Sequence, residues 1–173
     1  MTLTLSSPAF ADGETIPVKH SRDGENLSPP LRWTGAPDQV RSFLLIMEDP
    51  DAPSGTFRHF GVANIPPDTD RLPQSVDTAP EGTAMKFARN DFGNARYDGP
   101  EPPRGHGVHH YHFRLAALDV PNVSLPADAA SSGCGRRPAS TCWRRPPWSA
   151  PMSAEGYLVP YMRSPASPRP GTI

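Results

Sequence analysis

The sequence is poor in cysteine, in long apolar runs and in net charge, and each shortage excludes a class of protein. Its two cysteines are too few for the disulfide framework that holds small secreted domains together. The longest apolar run, residues 43–47, is far shorter than the ~20 residues of a membrane-spanning helix. A formal net charge of −1 at pH 7 provides no basic surface for nucleic acid. We therefore expect no transmembrane segment and no nucleic-acid partner.

The N-terminal segment "MTLTLSSPAFADGETIPVKH" lacks the positively charged start and the sustained apolar stretch of a secretory signal peptide. We accordingly expect a cytoplasmic protein. The length of 173 residues suits a domain of ordinary size, which can bury a core without disulfides or metals.

Proline, with 24 residues, is what the sequence has in excess. It is poorly tolerated in helix interiors and central strands, and here it clusters in segments such as "LSPPL", "DPDAPSG" and "GPEPPRG". Between these clusters, residues 41–49, 57–65 and 107–119 have the apolar character of strands. Before residue 125 no segment has a convincing amphipathic helical period. The pattern predicts a mainly β domain, an antiparallel sandwich with few short helices.

Four of the six histidines fall in one segment, "RGHGVHHYHF". Because side chains alternate between the two faces of a strand, the odd-numbered positions from His109 and Tyr111 onward belong to the core face. His110 and His112 then face solvent, and the orientation of His106 is left open. A polar side chain on the core face needs a partner, so His109 and Tyr111 are candidates for a functional site.

Two further polar residues accompany apolar strands. Asp49 ends a core-facing stripe, where a carboxylate needs a donor or a cation; on its own it is better explained by capping of the proline-rich turn that follows. His59, on its own, is better explained as a core histidine with a hydrogen-bond partner. Together with His109 and Tyr111 they would build a small polar pocket at the end of an apolar sandwich. Histidine donors and glycine-loop amides suit an anion such as phosphate.

Several segments in this order, "SPPLRWTGAP", "DPDAP" followed by "HF", "NIP" and "GPEPPRGHGVHHYHFRLAALD", resemble the phosphatidylethanolamine-binding protein family and, more closely, its bacterial Raf-kinase-inhibitor-like branch. The resemblance implies a sandwich of two antiparallel sheets with a small anion-binding pocket. Carried over by motif, the ligand-binding residues are Asp49, His59, Gly105, His109 and Tyr111, and Asp51 and Pro53 support the pocket wall. Glu101 departs from the pattern, because many bacterial relatives have cysteine in its place.

The predicted function is that of a non-enzymatic binding protein with no cofactor and no metal. Its partner is expected to be a phosphate-containing small molecule, a phospholipid head group or a phosphorylated protein, and the resemblance implies a kinase or protease modulator. The alternative is a metal-assisted hydrolase that uses His59, His109 and Asp49, since two histidines and a carboxylate are a legitimate ligand set. A third hypothesis, a histidine–aspartate acid–base enzyme, ranks last because the sequence has no G-x-S-x-G nucleophile motif.

Composition changes near the C-terminus, and we divide the chain into a domain at residues 1–126 and an atypical tail at residues 127–173. The tail contains "CGRRPASTCWRRPPWSAP", which has neither strand alternation nor a helical stripe and, apart from its tryptophans, resembles disordered sequence. Relatives in the family continue here into a helix and a closing segment. The codons that can encode the residues from Thr141 onward, when read from the third base of each codon, are compatible with such a closing segment. We therefore predict a tail, poorly packed from about residue 130, that is disordered or the product of a frameshift within residues 129–139.

Overall fold

The computed structural model describes residues 2–123, 152–158 and 160–163, and the structural statements below concern these residues. They form ten β-strands and one short 3-10 helix, Val18–His20. The strands are β1 (Thr4–Ser6), β2 (Leu31–Thr34), β3 (Ser42–Asp49), β4 (Phe57–Ile65), β5 (Arg71–Leu72), β6 (Lys86–Phe87), β7 (Val108–His110), β8 (His112–Leu118), β9 (Met152–Leu158) and β10 (Tyr161–Arg163). In these ranges no helix has the length and apolar character that a membrane span requires.

Two antiparallel sheets enclose the core. The larger sheet has the strand order β6-β4-β3-β8-β9, and the smaller sheet has the order β1-β2-β5. Apolar side chains from both sheets form one cluster, in which Trp33 of β2 packs edge-on against Phe43 of β3 with ring centroids 5.5 Å apart. The antiparallel sandwich predicted from the sequence is therefore confirmed.

The central strand of the larger sheet is β3, which pairs with β4 on one side and β8 on the other. It covers residues 42–49 of the predicted segment 41–49, and β4 covers the predicted segment 57–65. β3 is buried along almost its whole length, because its second face packs into a smaller apolar cluster that includes Leu44 and Val123. Burial on both faces explains why its sequence is a continuous apolar run rather than an alternating one.

The third predicted strand, residues 107–119, is divided into two strands at Tyr111. The backbone N–H of Tyr111 donates to the carbonyl oxygen of Pro160 at 2.8 Å. β7 pairs with β10, whereas β8 pairs with β3 and β9. The alternation continues through the break, because His109 and Tyr111 are buried and His110 is exposed. The predicted assignment of the odd-numbered positions to the core face is confirmed.

Part of the predicted tail belongs to the sandwich. β9 extends the larger sheet beside β8, β10 pairs with β7, and Leu158 and Met162 lie in the main core. Residues 152–158 and 161–163 of the predicted tail form these strands, because β7 and β8 present edges to which they hydrogen-bond; the division of the chain at residue 126 and the disorder of the tail stay predictions. Residues 124–151 lie outside the described residues. The frameshift stays a prediction, and an intact-protein mass tests it.

Candidate functional site

A cavity of about 230 Å³ lies at the end of β3, beside the start of β4 and beside β7. Its polar lining residues are Asp49, Ser54, His59, Glu101 and His109. Its apolar lining residues are Ala52, Pro53, Phe57, Phe92 and Pro103. Asp49 pairs with Phe57 in the strand register, which brings the end of β3 to the start of β4. An apolar cavity with a few convergent polar groups is typical of a small-ligand site.

Asp49 and His109 form a buried pair beside this cavity. Nδ1 of His109 donates to Oδ2 of Asp49 at 2.7 Å, and the two side chains are 1% and 5% exposed. The other carboxylate oxygen of Asp49 accepts the backbone N–H of Asp51 at 2.8 Å. Asp49 therefore caps the turn and also fixes the orientation of the His109 ring. Because Nδ1 is engaged, Nε2 is the ring nitrogen of His109 left for a ligand.

His59 reaches the cavity through an irregularity in β4. Met47 of β3 pairs with Phe60, and the next β3 residue, Glu48, pairs with Arg58. His59 is thus the extra residue of a β-bulge. Bulges bend a strand locally and redirect its side chains, and they occur often beside functional sites.

Two backbone carbonyl groups hold the His59 ring. Nδ1 donates to the carbonyl oxygens of Asp98 at 2.9 Å and Gly99 at 3.1 Å, which leaves Nε2 for a ligand. Burial lowers the pKa of His59, and the hydrogen bond to Asp98 and the charge of Asp49 offset this only in part. We therefore expect a neutral imidazole at neutral pH, with a lone pair on Nε2.

Aromatic rings surround His59 on three sides. The ring centroids of Phe57, Phe92 and Tyr111 lie 5.1, 5.6 and 5.4 Å from that of His59. Tyr111 contacts the ring of His59 edge-on and does not belong to the cavity lining. Its hydroxyl is buried with no hydrogen-bond partner among the described residues, and burial raises its pKa. The hydroxyl is therefore a neutral donor at all physiological pH values.

The remaining residues predicted from the family resemblance contribute differently. Pro53 lines the cavity, whereas Gly105 does not. Gly105 has φ of 78° in the turn where the N–H of His106 donates to the carbonyl oxygen of Pro103 at 3.1 Å. This left-handed conformation favours glycine, so Gly105 shapes the loop that carries the lining residue Pro103. The predicted ligand-binding roles of all these residues stay predictions.

Asp51 lies outside the cavity, where it pairs with His110. Oδ2 of Asp51 accepts both the backbone N–H and Nδ1 of His110, each at 2.8 Å. Burial works to raise the pKa of Asp51, but the hydrogen bonds from His110 outweigh it and hold the pKa below its ordinary value. This pair joins β7 to the turn after β3, and the predicted role of Asp51 in supporting the pocket wall stays a prediction.

Sequence reasoning missed an aromatic and charged wall of the cavity. The Arg22 guanidinium lies over the ring of Phe92, 4.1 Å from its centroid. Arg22 also forms ion pairs with Glu101 at 2.7 Å and with Asp98 at 3.4 Å. These residues come from separate loops, where no periodic pattern marks a shared surface and where glycine and proline predict only turns.

Asp98 organises the loop that anchors His59. Its side chain is 1% exposed and accepts hydrogen bonds from Asn90 at 2.7 Å, Asn94 at 2.8 Å and Asn26 at 3.3 Å. Burial works to raise the pKa of Asp98, but the hydrogen bonds from Asn94, Asn90 and Asn26 outweigh it and lower the pKa. The backbone N–H of Asp98 donates to the carbonyl oxygen of His59 at 3.2 Å. Asp98 and His59 are thus held together through both backbone and side chain.

The geometry also bears on the alternative of a metal centre. Within the described part of the chain, no three His, Cys, Asp or Glu side chains are grouped as metal ligands. Both carboxylate oxygens of Asp49 already accept hydrogen bonds. The cavity therefore offers two imidazole nitrogens, His59 Nε2 and His109 Nε2, whereas both oxygens of Asp49, the third ligand of the metal-assisted alternative, are engaged in hydrogen bonds.

Comparisons with known proteins agree with this architecture. A family model described as phosphatidylethanolamine-binding protein matches residues 6–139. The UPF0098 protein of Aquifex aeolicus is 45% identical over 128 residues, which are 74% of this chain and 75% of that protein. The UPF0098 protein YbhB of Escherichia coli K12 is 36% identical over an alignment of 143 positions, and the match covers 77% of this chain and 89% of that protein.

A solved structure supports the same assignment at the level of the fold. The crystal structure of Escherichia coli YbcL, described as a new member of the mammalian PEBP family, has a TM-score of 0.75 and 26% identity to this chain. The match covers 94% of this chain and 98% of YbcL. The chain therefore belongs to the phosphatidylethanolamine-binding protein family, in the bacterial and archaeal branch that includes YbhB and YbcL.

Proposed function

We propose that this protein binds a phosphate group in the cavity between His59 and His109, and that it acts as a binding protein and not as an enzyme. One observation carries the proposal. Two buried imidazoles line the same cavity, and each is anchored through Nδ1, so that Nε2 of both rings is left for a ligand. A cavity of about 230 Å³ suits a small head group.

Two carboxylates share the cavity with these histidines, and both are already paired. Asp49 accepts hydrogen bonds on both oxygens. Glu101 forms an ion pair with Arg22 at 2.7 Å. Because each carboxylate has a local partner, the repulsion that it exerts on an anionic ligand is reduced.

The protons of this site can be shared with the ligand. A neutral His59 accepts a hydrogen bond on Nε2 from the P–OH group of a phosphate monoanion, and a protonated His59 donates to a dianion. In both cases the complex holds one proton between the ring and the phosphate. Anion affinity therefore falls as pH rises and that proton is lost.

The ligand class that fits is a phosphate mono- or diester, either free or on a phospholipid head group. A diester has no P–OH group, so it requires the protonated ring as the donor. No cofactor or metal takes part in this binding. A phosphorylated partner protein presents the same chemistry, and a role as a kinase or protease modulator follows from the family resemblance alone. The cytoplasmic location likewise stays a prediction from the sequence.

Binding measurements by isothermal titration calorimetry test the proposal. Phosphate, phosphoethanolamine and nucleotides are titrated into the wild type and into His59→Gln, with His112→Gln as the matched control on the other side of the sheet. We expect the wild type and the control to bind phosphate, and His59→Gln to bind it on the order of tenfold or more weakly, as for the loss of a charge-assisted hydrogen bond.

Two further arms separate the rival functions. Phosphate affinity should survive treatment of the protein with a chelator, and phosphate and acyl esters should not turn over. Binding that disappears with the chelator supports the metal-assisted alternative. A wild type that binds none of the phosphate compounds, or equal losses in His59→Gln and His112→Gln, contradicts the proposal.

A further inference from the structure

Arg22 brings a positive charge to the edge of the cavity without lining it. Its guanidinium stacks on Phe92, which also contacts the ring of His59 at 5.6 Å. Its Nε donates to Oε2 of Glu101 at 2.7 Å, and Glu101 itself lines the cavity. The side chains of Arg22 and Glu101 are 32% and 50% exposed, so this edge meets solvent. We call Arg22, Phe92 and Glu101 the mouth of the cavity.

The two carboxylates that bind Arg22 differ in how firmly they are held. Asp98 is 1% exposed and is fixed by hydrogen bonds from Asn90 and Asn94. Glu101 is half exposed, and a solvent-exposed ion pair is weak because water competes for both charges. Asp98 and Phe92 therefore hold Arg22 in place, whereas Glu101 is the partner that can be exchanged.

We propose that Arg22 is a further anion-binding residue of the cavity and that Glu101 is its internal competitor. A phosphate group bound at His59 and His109 accepts the Nε–H of Arg22, and the Glu101 carboxylate moves out into solvent. The exchange replaces one anion by another on the same donor, so no charge is left unpaired beside Phe92. This inference rests on the proposed function, and it assigns the specificity for anions at the mouth to two loop residues.

A different role for Glu101 is to bind the ammonium group of a zwitterionic ligand. The contacts at the mouth disfavour that role, because Glu101 already has a cation at 2.7 Å. An ammonium group would have to displace Arg22, which is also held by Asp98 and by the ring of Phe92. The two roles predict opposite effects of removing the Glu101 charge.

Calorimetric titrations of phosphate and of phosphoethanolamine distinguish the roles. The variants are Glu101→Gln and Arg22→Gln, each with a control that changes the same charge at an exposed position away from the cavity, Glu14→Gln and Arg32→Gln. We expect Glu101→Gln to bind both ligands about two- to fivefold more tightly, the range of an exposed ion pair. Arg22→Gln should bind both roughly tenfold more weakly, and the two controls should match the wild type.

Arg22→Lys, which keeps the positive charge, guards against a loss of folding in Arg22→Gln. We expect its affinity to lie between those of the wild type and Arg22→Gln, because lysine supplies the charge but not the planar group that stacks on Phe92. Thermal unfolding of each variant verifies that it is folded before titration.

The outcomes separate this inference from the proposed function. If His59→Gln loses phosphate but Glu101→Gln and Arg22→Gln match their controls, Arg22 and Glu101 only join two loops, and the inference is overturned while the phosphate site stands. If Glu101→Gln binds phosphoethanolamine more weakly and phosphate unchanged, Glu101 is an ammonium site and the inference is again overturned. A wild type that binds neither ligand overturns the proposed function and this inference with it.

Discussion

Two His–Asp pairs lie next to each other along the chain and have nearly the same geometry. In the inner pair, His109 donates to Asp49 at 2.7 Å with both side chains almost fully buried. In the outer pair, His110 donates to Asp51 at 2.8 Å with the side chains 52% and 41% exposed. The inner pair lines the cavity, and the outer pair joins β7 to the loop after β3.

The difference between the pairs shows that position on the sheet, and not residue type, decides what a His–Asp pair can do. A buried pair has lost its contact with water and depends on each hydrogen bond that it makes. An exposed pair keeps its water, so its net contribution to stability is small. One step along β7 is enough to move a histidine from one environment to the other.

The largest expected effect is on stability, and it comes from removing the carboxylate of each pair. Asp49→Ala leaves buried polar groups without partners, and we expect a loss of about 3–5 kcal/mol in the free energy of unfolding. Asp51→Ala should cost about 0–1 kcal/mol, as for an exposed ion pair. Urea denaturation at neutral pH measures both, and equal costs would contradict the distinction between the pairs.

The next effect is on phosphate affinity, and it compares the two histidines. His109→Ala removes a cavity nitrogen, and we expect a loss on the order of 1.5–3 kcal/mol in binding free energy, the range for a hydrogen bond to a charged group. His110→Ala should change the affinity by less than about 0.5 kcal/mol, because its ring points away from the cavity. Titration calorimetry of the two variants decides the matter. If His110→Ala loses as much phosphate affinity as His109→Ala, the alternation of side chains along the strand does not decide which histidine binds.

A smaller effect is the dependence of phosphate affinity on pH. Burial lowers the pKa of His59 from 6.5, so protonation of that ring in the free protein requires acid. The complex holds one proton between the His59 ring and the phosphate. Because ring and phosphate lose this proton as pH rises, phosphate affinity should fall steadily from about pH 5.5 to about pH 8.5. His110→Ala should show the same profile as the wild type, whereas His59→Gln should flatten it. Equal wild-type affinity at the two ends of this range is the opposing result.

The smallest effect is the dependence of stability on pH. Burial lowers the pKa values of His20 and His59 below 6.5, so the unfolded chain binds these protons more tightly than the folded protein does. Their contribution to stability is therefore full above pH 6.5 and decreases as pH falls below it.

The carboxylate of the outer pair acts in a different range of pH. Because the pKa of Asp51 is held below 3.8, its contribution is present above that value and is lost only as pH falls through the folded-state pKa. Denaturation curves between about pH 5 and pH 7.5 should thus report the buried histidines and not Asp51, provided that they are recorded in Asp91→Asn, because burial raises the pKa of Asp91 and its effect on stability has the opposite sign. Stability that increases on acidification through this range would contradict the account.

The sequence predicted the parts of the fold that follow from strand periodicity. Alternation placed His109 and Tyr111 on the core face and His110 on the other, and the apolar runs located β3 and β4 almost to the residue. These predictions succeed because each depends only on neighbouring residues along one strand.

The parts that were missed depend on contacts between distant segments. The bulge at His59 depends on the register between β3 and β4, and the mouth of the cavity brings Arg22 to Phe92 and Glu101 from separate loops. Strands β9 and β10 were missed because the proline-rich tail carries no alternation before them, and their pairing is supplied by the free edges of β8 and β7.

The central claim is that His59 and His109 present Nε2 to one anion in one cavity. Nitrogen-15 NMR of the imidazole rings during a phosphate titration tests it most directly. We expect both residues to keep a proton on Nδ1 throughout, and their Nε2 resonances to shift together along a single binding curve, while those of His110 and His112 stay in place. Phosphate that binds without moving the Nε2 resonances of His59 and His109, or that moves those of His110 and His112 to the same extent, would contradict the account.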